Sequence, residues 1–216
     1  MPILIYSDFK QIKDWLEENL TAKKSFVPHL DSIPNINSKG IYFWFMKPEG
    51  YNALSNYVSI QPIEPKLVKE IDSVKYDLVY IGTTGTGKKG ISTLTKRLDW
   101  HINQKHKESS IKQKQSALST LRTGLSSLLS EDLVLPNTEE LVNDFMCSNM
   151  IVYYQEYPNN KELIDNDEKL LIYKLKPLLN LKSNPNSLKN SDLNPTKKYK
   201  YRRILVEKNT KKRLGL

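Results

Sequence analysis

Gly40-Ile41-Tyr42-Phe43-Trp44-Phe45-Met46 is a run of β-branched and aromatic residues, entered through a glycine and closed by Pro48. It is too short for a helix and apolar without alternation, so it reads as a strand buried on both faces. A second strand reads from about Tyr76 to Ile81 and stops at the glycine-rich Gly82-Thr83-Thr84-Gly85-Thr86-Gly87. That stretch reads as a turn, with Gly40 and Gly82 serving the backbone. Ile151 to Tyr157 reads as a third strand.

Helical patterns surround these strands. Ser7 is placed to cap a helix with Phe9, Ile12, Trp15, Leu16 and Leu20 at apolar spacing. From Ile91 to about Lys105, Ile91, Leu94, Leu98 and Ile102 share one face, with Arg97 and His101 on a neighbouring one. Further helices read from about Ile111 to Leu129, from a cap at Asn137 or Thr138 to about Cys147, and from about Lys161 to Leu175 before Pro177. The segment 48–64 reads as a loop-like insertion with one weak strand at Tyr57 to Gln61.

A chain of 216 residues with 38% hydrophobic content buries one core. It has no apolar run of the roughly eighteen residues that a membrane span needs, and its start lacks signal-peptide regions. The expectation is a soluble, cytoplasmic protein with no membrane partner. The single cysteine, Cys147, has no internal disulfide partner and reads as a buried structural thiol. The charge is uneven. Of the net +9, a net +8 falls in the last 22 residues, where Lys197, Lys198, Lys200, Arg202, Arg203, Lys208, Lys211, Lys212 and Arg213 face one acid, Glu207. With Tyr199 and Tyr201 interleaved, this cluster suits a phosphate backbone with rings stacking on bases. A solvated basic tail is the equal alternative on composition.

Gly40-Ile41-Tyr42 on one strand, Tyr80-Ile81-Gly82 on the next, Arg97 and His101 on a helix, a third strand, then Glu168 on a helix and Asn180 after Pro177 follow one another in that order. The two tripeptides together are a chance event on the order of one in a thousand. The series resembles the GIY-YIG nuclease superfamily, and most nearly its type II restriction endonucleases. The resemblance implies an α/β (α+β) fold: a small, three-stranded, mostly antiparallel sheet flanked by helices, with helical insertions. It implies a catalytic domain over 39–181, with insertions at about 48–75 and 103–149. Residues 1–38 are then an N-terminal accessory helix and linker, and 182–216 a linker and basic extension.

Phosphodiester hydrolysis needs an activated water, neutralisation of the crowded phosphate and help for the leaving oxygen. The resemblance assigns Glu168 one Mg²⁺ or Mn²⁺ ion and makes Tyr42 the acceptor of the water's proton, with Tyr80 beside it. Arg97 offers a fork for two phosphate oxygens. His101, one turn on, is placed to shuttle a proton or bond a phosphate. Asn180 reads as an orienting, backbone-bonding residue. Taken without the resemblance, Asp165 and Glu168 are also spaced as a helix cap with an acid at its third position. His29 and His106 match no motif position and read as surface residues. The substrate implied is double-stranded DNA, bound by Lys197, Lys198, Lys200, Arg202 and Arg203 and, beside the site, Lys88 and Lys89; a homodimer is compatible. Homing, phage or repair nucleases, and a silent DNA-binding protein, stay open as alternatives. Gly82 to Lys89 nearly spells a nucleotide-binding P-loop, but Lys89 stands where that motif needs Ser or Thr.

Overall fold

The structure, a computed structural model, describes residues 9–21, 25–28, 33–60, 67–84, 92–103, 106–109, 111, 118–185 and 195–215. In chain order the elements are α1 (Phe9–Thr21), β1 (Ser25–Phe26), β2 (Lys39–Met46), α2 (Glu49–Leu54), β3 (Val68–Ile71) and β4 (Val74–Thr83). There follow α3 (Leu94–Ile102), α4 (Thr120–Leu129), α5 (Glu139–Asn149), β5 (Met150–Tyr157), α6 (Lys161–Leu175) and α7 (Pro195–Leu214). The strands form one antiparallel sheet in the order β1-β5-β2-β4-β3. The three strands expected from sequence are its centre, and β1 and β3 are added at its edges.

β2 explains why the opening run shows no alternation. Tyr42, Trp44 and Met46 enter one core, with residues from α2, α3, α4, α5 and α7. Ile41, Phe43 and Phe45 enter a second core on the opposite face, with α1 and α6. A strand covered on both sides has no solvent face to make polar.

β4 departs from simple alternation where it matters most. Trp44 pairs with Tyr80 and Phe45 with Leu78, so Val79 is an extra residue in a bulge. Val79 and the following Tyr80 therefore both lie in the core that contains Tyr42. A bulge re-aims side chains, and here it carries Tyr80 to the face that Tyr42 occupies. The Val79 carbonyl accepts from Leu179 N (2.8 Å).

Gly40 and Gly82 lie inside β2 and β4, not at turns as expected from the sequence. Their reason is close approach. A Cβ on Gly40 would strike the Gln155 carbonyl, and one on Gly82 would strike the ring and hydroxyl of Tyr42. Tyr42 and Gly82 are register partners, so the Tyr42 ring lies across the residue that has no side chain.

Other segments differ from expectation. Tyr57 to Ile60 forms no strand: Val58 and Ile60 are buried in a loop held by Ser55 Oγ donating to the Ile60 carbonyl (3.1 Å). Gln61, Ser7, His29 and the stretch 85–91, including Lys88 and Lys89, lie outside the described residues. Cys147 is half-buried.

The basic C-terminal segment is a helix built into the fold. Tyr199, Val206, Thr210 and Leu214 are buried along one side of α7. Tyr199 sits against Gly124, where any Cβ would meet its hydroxyl, and donates to the Leu179 carbonyl (3.1 Å). Arg202 donates to the carbonyls of Ser127 and Ser130 (both 2.6 Å), where α4 runs out of its own donors.

Candidate active site

Five of the six expected catalytic residues, Tyr42, Tyr80, Arg97, Glu168 and Asn180, line one cleft of about 640 Å³ together with Gly82. Thr83, Ser92, Thr120, Asp165, Lys182 and Arg203 also line it. None of these six was singled out from sequence as an active-site residue; Arg203 was assigned only to the basic tail.

Helix α3 brings two groups to one oxygen. Thr93 caps it, its side chain accepting from Lys96 N (3.4 Å), and Arg97 and His101 project one turn apart. Arg97 Nε donates to the Tyr42 hydroxyl at 3.1 Å, and His101 Nε2 bonds the same hydroxyl at 2.9 Å. Tyr42 and Tyr80 stand with ring centroids 6.5 Å apart. Burial pushes the Tyr42 phenol up, against the lowering effect of the Arg97 charge and hydrogen bond. Burial likewise raises Tyr80, and the neighbouring Tyr42 adds to it.

His101 lines no part of the cleft surface. It is fully buried behind Tyr42, against the edge of Trp44. Burial first, then the charge of Arg97, hold its imidazole well below the ordinary histidine range, so it is neutral. Its Nδ1 meets Ser119 Oγ at 2.8 Å. Ser119 also caps α4, its side chain accepting from Arg122 N (3.2 Å).

Behind this chain lies a buried polar network that sequence reading did not find. Arg122, with no exposed surface, donates to both the Glu139 carboxylate and the His101 carbonyl, the latter at 2.6 Å. It also reaches Asn143 Oδ1 (2.5 Å). His106, expected at the surface, is fully buried: the Trp100 ring lies tilted against it (centroids 4.6 Å), and its Nε2 accepts from Ser119 N (3.0 Å). Its hydrogen-bond partners Ser119 and Glu139 are distant in sequence, and no local pattern around a residue in a turn announces them.

Glu168 lies on α6 and hydrogen-bonds Thr83. Asn160 caps that helix by accepting from Leu163 N (3.1 Å), which places Asp165 and Glu168 in its interior and removes the capping explanation for them. The Glu168 carboxyl is pushed up to about 7, by burial first and by Asp165 second, against Lys182 and Arg97. Asn180 bonds the backbone of β4: its Oδ1 accepts from Ile81 N and its Nδ2 donates to the Ile81 carbonyl, both at 2.8 Å. The amide thus completes the strand edge beside the motif.

Of the tail residues, Lys197, Lys198 and Lys200 are exposed on α7. Arg202 is tied to α4 and stacks over Tyr57 (4.8 Å). Tyr199 is buried and unavailable to a base, whereas Tyr201 is exposed.

A mixed α/β fold with an antiparallel sheet flanked by helices, carrying the two tripeptides on its central strands, is the architecture of a small nuclease domain. The GIY-YIG catalytic domain family matches residues 40–202. The chain belongs to that family, and it is a nuclease. No curated protein and no solved structure matches it. Among the described residues no helix is long and apolar enough to cross a membrane.

Proposed function

We propose that the protein is a divalent-metal-dependent endonuclease that hydrolyses phosphodiester bonds in double-stranded DNA, cutting at defined sites as restriction enzymes do. One observation carries the reading: Arg97 Nε and His101 Nε2 meet on the single hydroxyl of Tyr42, in a cleft whose other wall bears Glu168.

In the tautomer we assign to His101, Ser119 Oγ accepts from Arg122 N and gives its own proton to His101 Nδ1, while Nε2 carries the imidazole hydrogen toward Tyr42. The Tyr42 oxygen then receives two N–H donors, and its own hydrogen faces the cleft. Two donors stabilise a phenolate, the state in which Tyr42 takes a proton from the attacking water. Arg97, with Nε committed to Tyr42, presents its Nη groups to the phosphate oxygens. Tyr80 borders the same phosphate position from β4.

The acids fit a cation. Glu168, its carboxyl raised by burial and by the neighbouring Asp165, is the group that would hold a Mg²⁺ or Mn²⁺ ion, with Asp165 adjacent. Among the described residues there is no cluster of three or more His, Cys, Asp or Glu, so an ion held by Glu168 would take most of its oxygen ligands from solvent and substrate, as Mg²⁺ prefers. When bound, such an ion supplies positive charge that lowers the cost of the phenolate and of the crowded phosphate.

Glu168→Ala and Arg97→Ala are expected to lose cleavage of duplex DNA, with Glu168→Ala still binding it. Full single-turnover activity in either variant overturns the assignment. The restriction-type reading rests on layout, a nuclease core with the helices α4 and α5 added between the Arg97 helix and β5. A homing, phage or repair nuclease is the alternative. Discrete fragments from a long mixed-sequence duplex favour restriction; cutting confined to branched or damaged DNA favours repair.

A further inference from the structure

Arg202 and Arg203 are neighbours in sequence with opposite circumstances. Arg202 is satisfied by two carbonyls and an aromatic ring. Arg203 turns into the cleft occupied by Tyr42, Tyr80, Arg97 and Glu168, and also lines a second cavity of about 180 Å³ that shares Thr120 with the first. It hydrogen-bonds Tyr199. Its Nη1 is shielded from solvent and has no hydrogen-bond partner among the described residues, nor does any carboxylate there pair with it. A guanidinium N–H removed from water without an acceptor is costly, and persists where an acceptor arrives with a ligand.

The backbone at Arg203 is fixed. One turn before it Tyr199 is locked beneath Gly124, one residue before it Arg202 is anchored to α4, and one turn after it Val206 is fully buried. The side chain is thus presented from a rigid element, as a preorganised binding group must be. The cleft holds its two acids, Asp165 and Glu168, on α6, whereas Arg203 enters from α7. In the second cavity Lys211 is paired with Glu207 at 2.6 Å, so an anion finds no net charge farther along.

We infer that Arg203 is a phosphate-binding residue of the active site, engaging the backbone phosphate next to the scissile one. This rests on the endonuclease reading and deepens it: the C-terminal helix becomes a wall of the substrate site.

The test uses the full chain carrying Glu168→Ala, which does not cut, and a duplex containing a cleavage site mapped with the unaltered enzyme. Adding Arg203→Ala is expected to weaken binding about tenfold and to lower the salt slope by about one counterion. Adding Arg203→Lys keeps the slope and recovers part of the affinity, since it retains the charge without the fork. Duplexes with one neutral methylphosphonate, moved position by position, locate the contact. Neutralising the flanking phosphate is expected to weaken the Glu168→Ala parent but to cost the Arg203→Ala form nothing further. An unchanged affinity and slope in Arg203→Ala, or equal sensitivity of both proteins at that phosphate, overturns the inference. Thermal melting reports whether Arg203→Ala folds; if it does not, the Arg203→Lys variant and the methylphosphonate scan of the parent decide alone. A parent that cleaves before substitution but shows no loss at the flanking phosphate sinks this inference only. An unsubstituted chain that neither cuts nor binds DNA sinks the endonuclease reading with it.

Discussion

Tyr42, His101 and Ser119 form a line of hydrogen bonds from the cleft into the core, and each link has a separable consequence. Removing the Ser119 hydroxyl unties the imidazole, letting the tautomer that donates to Tyr42 compete with the one that accepts. Ser119→Ala is expected to slow single-turnover cleavage about tenfold with little change in KM, and Ser119→Thr to restore most of the loss. An equal loss in both variants points to packing instead, and a loss that tracks a fall in thermal stability points to the helix cap that the same hydroxyl supplies. Glu168 sets the pH response. Its carboxyl, raised by burial from the ordinary 4.5 to about 7, holds a proton in the folded chain across a window where the unfolded chain has lost it. Its contribution to stability is therefore full below the unfolded value and is lost as pH rises through the folded one. Metal-free Glu168→Gln is expected to exceed the unaltered protein in stability above pH 7 by roughly 1–3 kcal/mol, with the gap closing toward acid. The metal concentration needed for half-maximal cleavage should rise as pH falls below about 7, because proton and cation compete for one carboxylate. His101, held neutral by burial and by Arg97, contributes nothing to that acid limb. A limb that vanishes in His101→Gln contradicts this.

At the scale of elements, the β2–β4 pair is built around the space left by Gly82. In Gly82→Ala the new methyl must displace the Tyr42 ring, so a loss of cleavage exceeding a hundredfold is expected with a stability cost of roughly 1–3 kcal/mol; wild-type activity would show that the ring has room to move. α7 sets a different kind of expectation. Deleting it as a basic tail uncovers the core around Tyr199, Val206, Thr210 and Leu214, at a cost comparable to the whole stability of a domain. The proposal that it binds DNA is therefore tested with single substitutions. Its buried positions do follow helical spacing in sequence, but they are few and set among nine cations, so the charge dominates any reading by composition.

Across the molecule, local patterns were legible and long-range partners were not. β2, β4 and β5 lie within two residues of where their β-branched and aromatic runs place them, and α6 matches its apolar spacing. β1 and β3 were missed because two and four residues at a sheet edge carry too little pattern. Tyr42, Tyr80, Arg97 and Glu168, singled out by the family resemblance rather than by local spacing, line one cleft. The bulge at Val79, the Ser119 to His101 bond and the buried Arg122 to Glu139 pair depend on segments whose contacts no local spacing encodes.

Cleavage itself is the direct test. Purified protein is incubated with a long, mixed-sequence double-stranded DNA, with Mg²⁺ or with EDTA, beside Glu168→Ala. We expect discrete fragments with Mg²⁺ and none with EDTA or in the variant. Intact DNA in every lane, or cleavage indifferent to EDTA and to Glu168, contradicts a metal-dependent nuclease working through this cleft.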